Sequence, residues 1–172
     1  MLLILNIALF QLGWFACVLG AAKGWPWVGV IAAVMIVTWH LARAVTAKKE
    51  IVLLAIAFLL GALFETLLVQ TAWIHFFNGN LIPGIAPYWM VALWVIFATT
   101  LNVSLRSLRE RWGLAAILGA LGGPIAYYAG ARLGALEFVS LGAALSLIGV
   151  GWGILTPVLF EVARRFDGYA RA

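Results

Sequence analysis

From Leu2 to Ala22 the chain carries no charged side chain. Five more apolar runs follow, so that the six lie at about 2–22, 26–44, 51–76, 88–108, 113–136 and 141–165. About 20 apolar residues cross a bilayer core of roughly 30 Å. Of the 172 residues, 66% are hydrophobic and 10% charged, more apolar surface than a water-soluble domain of this size can bury. The runs lack the strict alternation of a membrane barrel, and a continuous helix satisfies every backbone group in lipid. The expectation is an all-α polytopic membrane protein. Its single domain spans 1–172, with six transmembrane helices arranged as three hairpins. The first run lacks the basic segment that precedes a signal peptide's core and is read as a retained helix.

The formal charge of +5 would suggest nucleic acid in a soluble protein, but here the basic residues fall between apolar runs. With the N-terminus inside, Arg43, Lys48, Lys49, Arg106, Arg109, Arg111, Arg164, Arg165 and Arg171 all lie on one side. Only Lys23 and Arg132 lie on the other. This asymmetry places both termini in the cytoplasm. Trp25, Trp27, Trp73 and Trp89 mark the outer interface and Trp112 the inner one. Residues 77–87, FNGNLIPGIAP, read as a plain outer loop in preference to a cap. LLGAL at 59–63 is echoed by ILGAL at 117–121, a match that an apolar background produces readily.

Glu65 sits inside the third run, where a carboxylate needs a partner or a purpose. At about 1.5 Å per residue, Tyr127 and Tyr128 on the fifth run reach its height. Arg132 lies above them, and Gln70 lies above Glu65 on its own helix. Gln11 and Trp14 sit near the middle of the first run. These residues outline a polar pocket in the outer half of the membrane. Glu65 either serves structure, as a cross-bundle hydrogen bond or an ion pair with Arg132, or serves a ligand or a proton. Gly122, Gly123 and Pro124 mark an expected helix break near the bilayer centre, since proline removes a backbone donor. Glu161, Arg164, Arg165 and Asp167 read as a solvated helix end. His40 and Asn102 fall in the inner third. His40 and His75 lie near opposite faces, and Cys17 stands alone, so neither a metal nor another cofactor is expected.

The stretches FQLGWFACVLGAAKGWPWVG (10–29), PYWMVALWVIFATTLNVSLRSL (87–108) and GGPIAYYAGARLGA (122–135) resemble an uncharacterised family of bacterial inner-membrane proteins, domain of unknown function 2878. The resemblance implies a small Gram-negative inner-membrane protein of unassigned activity. It also implies an association with nearby-encoded lipid-modifying enzymes resembling cyclopropane-fatty-acid synthases. It carries over no functional residue.

Three functions follow as expectations. The first is binding or handling of a membrane lipid or lipid-derived amphiphile in the polar pocket. The second is transport, as a small-solute transporter or the substrate-capturing subunit of one. The third is an intramembrane lipid-modifying enzyme using Glu65 as acid or base, although no familiar catalytic motif is present. Expected partners are membrane lipids, with a second copy, a lipid-modifying enzyme or a transporter module beside them, and no nucleic acid.

Overall fold

The computed structural model describes residues 2–170. Six helices dominate it: α1 (Leu2–Ala22), α2 (Trp27–Arg43), α3 (Ala47–Gln70), α4 (Tyr88–Leu101), α5 (Trp112–Arg132) and α6 (Leu141–Arg165). Among the described residues, α1, α3, α5 and α6 are long and apolar enough to cross a membrane. With 17 and 14 residues, α2 and α4 are shorter. Consecutive helices pack in pairs, α1 on α2, α3 on α4 and α5 on α6.

Three of the expected runs end differently. The third stops as a helix at Gln70 rather than at 76, and the fifth at Arg132 rather than at 136. Each then turns through a residue of positive φ, Ala72 at 55° and Gly134 at 87°. That left-handed step ends a helix and redirects the chain. Both turns lead into a short strand, β1 (Ile74–Phe76) and β2 (Leu136–Phe138), and the two pair antiparallel. Among the described residues the bundle is therefore all-helical apart from one two-stranded clip.

The fourth run, expected to reach 108, leaves the helix after Leu101. Thr99 and Thr100 turn their hydroxyls back onto Ile96 O and Phe97 O, each at 2.6 Å, which competes with the regular ladder. Asn6 on α1 donates to Thr99 O at 3.1 Å and accepts from the Ser104 hydroxyl at 2.6 Å. Protein thus covers the irregular backbone, the condition on which non-helical chain is tolerated at membrane depth. α4 is the most enclosed helix, touching α1, α2, α3 and α6, with Trp89, Trp94 and Ile96 fully buried.

The α3–β1–α4 and α5–β2–α6 segments match at several positions. His75 and Glu137 are paired at the centre of the clip. Ala72 matches Gly134 in backbone sign. A β-carbon added at Gly61 would strike the Trp94 ring, and one at Gly123 the Trp152 ring. Trp94 and Trp152 stack on each other, ring centroids 4.3 Å apart and planes at 27°. Gly61 therefore corresponds to Gly123, and not to the Gly119 that the LLGAL echo would pair with it.

Candidate functional site

The packing of α3 and α5 in the bundle brings Glu65 and Tyr127, 62 residues apart, face to face. The Tyr127 hydroxyl donates to Glu65 Oε1. Trp94 Nε1 donates to the same oxygen at 2.8 Å. Glu65 is completely buried, and its other oxygen, Oε2, has no partner. Two donors thus load one oxygen and leave the second bare, an unusual state for a buried carboxyl.

Beside this pair lies a groove of about 520 Å³ between the α1/α4 side and the α5/α6 side. α5 grips α6 closely but leaves α1 and α4, and that separation forms the groove. It runs from Leu105 and Leu108 at one end to Leu136 at the other, with Phe10, Trp14 and Phe97 along its wall. Tyr127, Trp94, Trp152 and Thr156 also face it, whereas Glu65 stands one layer behind. The sequence led us to expect a polar pocket in the outer half. The structure has instead a long apolar groove whose few polar atoms sit near mid-height.

Those polar atoms are incompletely satisfied. Thr156, only 4% exposed, has an unpartnered Oγ1. The Trp152 indole lies close to the Tyr127 hydroxyl, yet its Nε1–H has no bond of acceptable geometry. Glycines create the space. Gly119 lets α5 approach Trp152 O and Thr156, and Gly122 has nothing within 4 Å of where its β-carbon would stand.

The residues expected to form the pocket divide. Glu65 and Tyr127 meet, and Gln11, Trp14, Gly122, Gly123 and Tyr127 line the groove. Tyr128 is 48% exposed and outside it. Gln70 is occupied with Gly84 O at 2.6 Å, holding the 77–87 connection down on α3. Arg132 forms no ion pair with Glu65. The expected break at Gly122, Gly123 and Pro124 does not occur, because α5 runs unbroken through Pro124. The carbonyl that this proline frees, that of Ala120, faces Gly149 on α6 and would lie 3.2 Å from a β-carbon there. A close helix neighbour thus covers the defect.

A second buried polar cluster forms at the opposite end of the bundle. Glu50, expected in a connection, lies in the first turn of α3 and is completely buried. Its Oε1 accepts from Asn102 Nδ2 and from the Gly168 N–H, both at 2.7 Å, and its Oε2 lies 2.8 Å from His40 Nε2. The Tyr169 hydroxyl donates to His40 O at 2.7 Å. Asp167, expected to be solvated, is 8% exposed. Its Oδ2 meets Arg106 Nη2 at 2.8 Å and Arg109 Nη2 at 3.0 Å, and its Oδ1 accepts from the N–H groups of Tyr169 and Ala170. Glu161 pairs with Arg164 and Arg165 as the spacing suggests.

Sequence reasoning missed Trp94, Trp152, Thr156, Asn6 and the roles of Glu50 and Asp167. Asn6, Glu50 and Asn102 did carry a signal, since each is polar inside or beside an apolar run. Among the described residues, no group of three His, Cys, Asp or Glu side chains is placed to hold a metal.

The family model described as protein of unknown function DUF2878 matches residues 3–158, which takes in every groove residue except Phe160. The chain belongs to the DUF2878 family. Neither the curated proteins nor the solved structures include a match. The match ends before Arg164 and Asp167.

Proposed function

We propose that this DUF2878 protein resides in the bacterial inner membrane, with three helical hairpins and both termini on the cytoplasmic side. There it binds a membrane lipid or lipid-derived amphiphile in the groove between α4 and α5. One observation carries the reading. The groove has the volume of a ligand site, roughly 300–1,000 Å³. It is almost wholly apolar, and it keeps a buried, unpaired hydroxyl at mid-height. The concentration of basic residues at the Glu50 end supports the orientation.

The test is mass spectrometry of molecules retained on gentle purification, comparing the native chain with Gly122→Trp. The substituted side chain has open space to enter and would fill the groove. A lipid enriched on the native chain and absent from the folded variant supports the reading. Identical bulk-like lipid on both proteins refutes it.

The hydrogen bond from Tyr127 to Glu65 favours a second reading, an intramembrane lipid-modifying enzyme. Tyr127 touches the groove while Glu65 stands behind it, an arrangement that could pass a proton between the buried carboxyl and a bound molecule. A mass change in the retained lipid that disappears in Tyr127→Phe would establish it.

A further inference from the structure

The connection between β1 and α4 lies deeper than a loop over the end of a bundle. From residue 76 to residue 105 the chain carries no charged side chain. Within that stretch α4 supplies 14 helical residues, about 21 Å of rise against a hydrocarbon layer of about 30 Å. With the bundle spanning a bilayer as proposed, and whatever the groove holds, non-helical chain makes up the remaining distance of about 9 Å. At the Glu50 end the turn at 99–104, covered by Asn6, supplies part of it. At the clip end the chain that follows β1 is residues 77–87.

Hydrogen bonds to α3 fix the height of this connection. Counted from Ile51, the first residue after Lys48, Lys49 and Glu50, a rise of about 30 Å ends at Thr71. Gln70, beside that edge, donates from Nε2 to Gly84 O at 2.6 Å. Thr66, about 7 Å inside the edge, accepts from the Ala86 N–H through Oγ1 at 3.2 Å. Residues 84–86 thus run down the flank of α3 into the layer. Gly84, at a φ of 77°, permits the approach, since a β-carbon there would lie 2.8 Å from Gln70 Nε2.

The backbone here is furnished as a segment deprived of water requires. Gly79 O accepts from the Tyr88 N–H at 3.1 Å, Asn78 O from Trp89 Nε1 at 2.9 Å, and Ile82 O from the Ile85 N–H at 3.2 Å. Pro83 and Pro87 have no N–H to satisfy. The aliphatic side chains that remain outside are Leu81, Ile82 and Ile85, exposed by 71, 57 and 43%. Grouped on a loop in water they would order solvent around them, whereas among acyl chains they carry no such penalty. We propose that residues 80–86 form a membrane-immersed loop, pinned to α3 by Thr66 and Gln70, whose Leu81, Ile82 and Ile85 insert among the acyl chains of the adjoining leaflet.

The experiment is spin labelling of the full chain in vesicles of phosphatidylcholine and phosphatidylglycerol. Depth is read from collisions of each label with oxygen against a water-soluble nickel chelate. Cys17, which is buried, is removed by Cys17→Ala so that every label is single. Lys49→Cys gives the aqueous reference, and Leu63→Cys, on the exposed face of α3 about 12 Å inside the edge, gives the deep one. Labels at Leu81→Cys, Ile82→Cys and Ile85→Cys should fall between the two, within about 8 Å of the edge. Thr66→Val combined with Gln70→Leu removes both pins and should shift the Ile85 label toward water while the Leu63 label stays deep. An Ile85 label that does not move in that variant overturns the pinning. Loop labels dominated by nickel while Leu63 stays deep place the loop in water and overturn its immersion. Loop labels reached by neither reagent mean that a second copy or another protein covers the loop, which also overturns it. If nickel dominates at Leu63 as well, the bilayer placement itself fails and the immersed loop falls with it.

Discussion

Two glutamates on one helix, Glu50 and Glu65, are equally buried and differently furnished. Both oxygens of Glu50 have partners, drawn from α2, the end of α4 and the C-terminal segment. Glu65 has two donors crowded on Oε1 and none on Oε2. A fully paired carboxyl joins chain segments, and removing it strands every group that pointed at it. A half-paired one leaves capacity unused, which selection for stability alone would not maintain. The contrast assigns fastening to Glu50, and the proposed ligand role falls to the Glu65 neighbourhood.

The largest effect that could break this contrast is expected for Glu50→Ala. It leaves Asn102, His40 and the Gly168 N–H without their acceptor and should cost about 3–5 kcal/mol. Thermal unfolding in detergent checks it, and a loss no greater than that of Glu65→Ala would erase the distinction. Next comes Gly61→Ala. Its new methyl group meets the Trp94 ring from which Glu65 takes a hydrogen bond, so overpacking of about 1–3 kcal/mol is expected. Tryptophan fluorescence should report the displaced indole.

Glu65→Gln sharpens the comparison from the other side. The amide oxygen still accepts from Trp94 and Tyr127, so stability should change by about 1 kcal/mol or less. The retained lipid should change instead, and a stability loss matching Glu50→Ala with unaltered lipid would reverse the assignment. The smallest effect concerns Tyr169. Burial, and then the Glu50 carboxylate, push its hydroxyl up from 10.0 to about 12. A group raised on folding contributes fully below its unfolded value and loses that contribution as pH climbs through the folded one. The clasp onto His40 should therefore be intact below about pH 10 and weaken toward pH 12. Tyr169→Phe should flatten that part of the alkaline stability profile, and an unchanged profile would remove Tyr169 from the fastening.

The helical core was legible because lipid leaves few alternatives to a helix, and counting rise per residue was enough to set Glu65 and Tyr127 at one height. The strands were not legible. Ile74–Phe76 and Leu136–Phe138 are three residues each, too short to show a period inside an apolar run. Trp94 and Trp152 escaped notice because tryptophan in a membrane sequence first suggests an interface anchor, and stacking between distant helices leaves no local trace. Asp167 looked solvated because its partner Arg109 is 58 residues away. Spacing along a helix exposes i to i+4 pairs, such as Glu161 with Arg165, and nothing more remote.

The groove between α4 and α5 is bordered by Leu136 of β2 at one extremity and by Leu105 and Leu108 at the other. A lipid bound there, as proposed, would arrive sideways, out of the acyl chains, without passing through water. Its binding competes with every neighbouring lipid, so the meaningful constant is a mole fraction in the bilayer rather than an aqueous concentration. A scarce lipid can then be gathered only if the groove prefers it to the abundant ones.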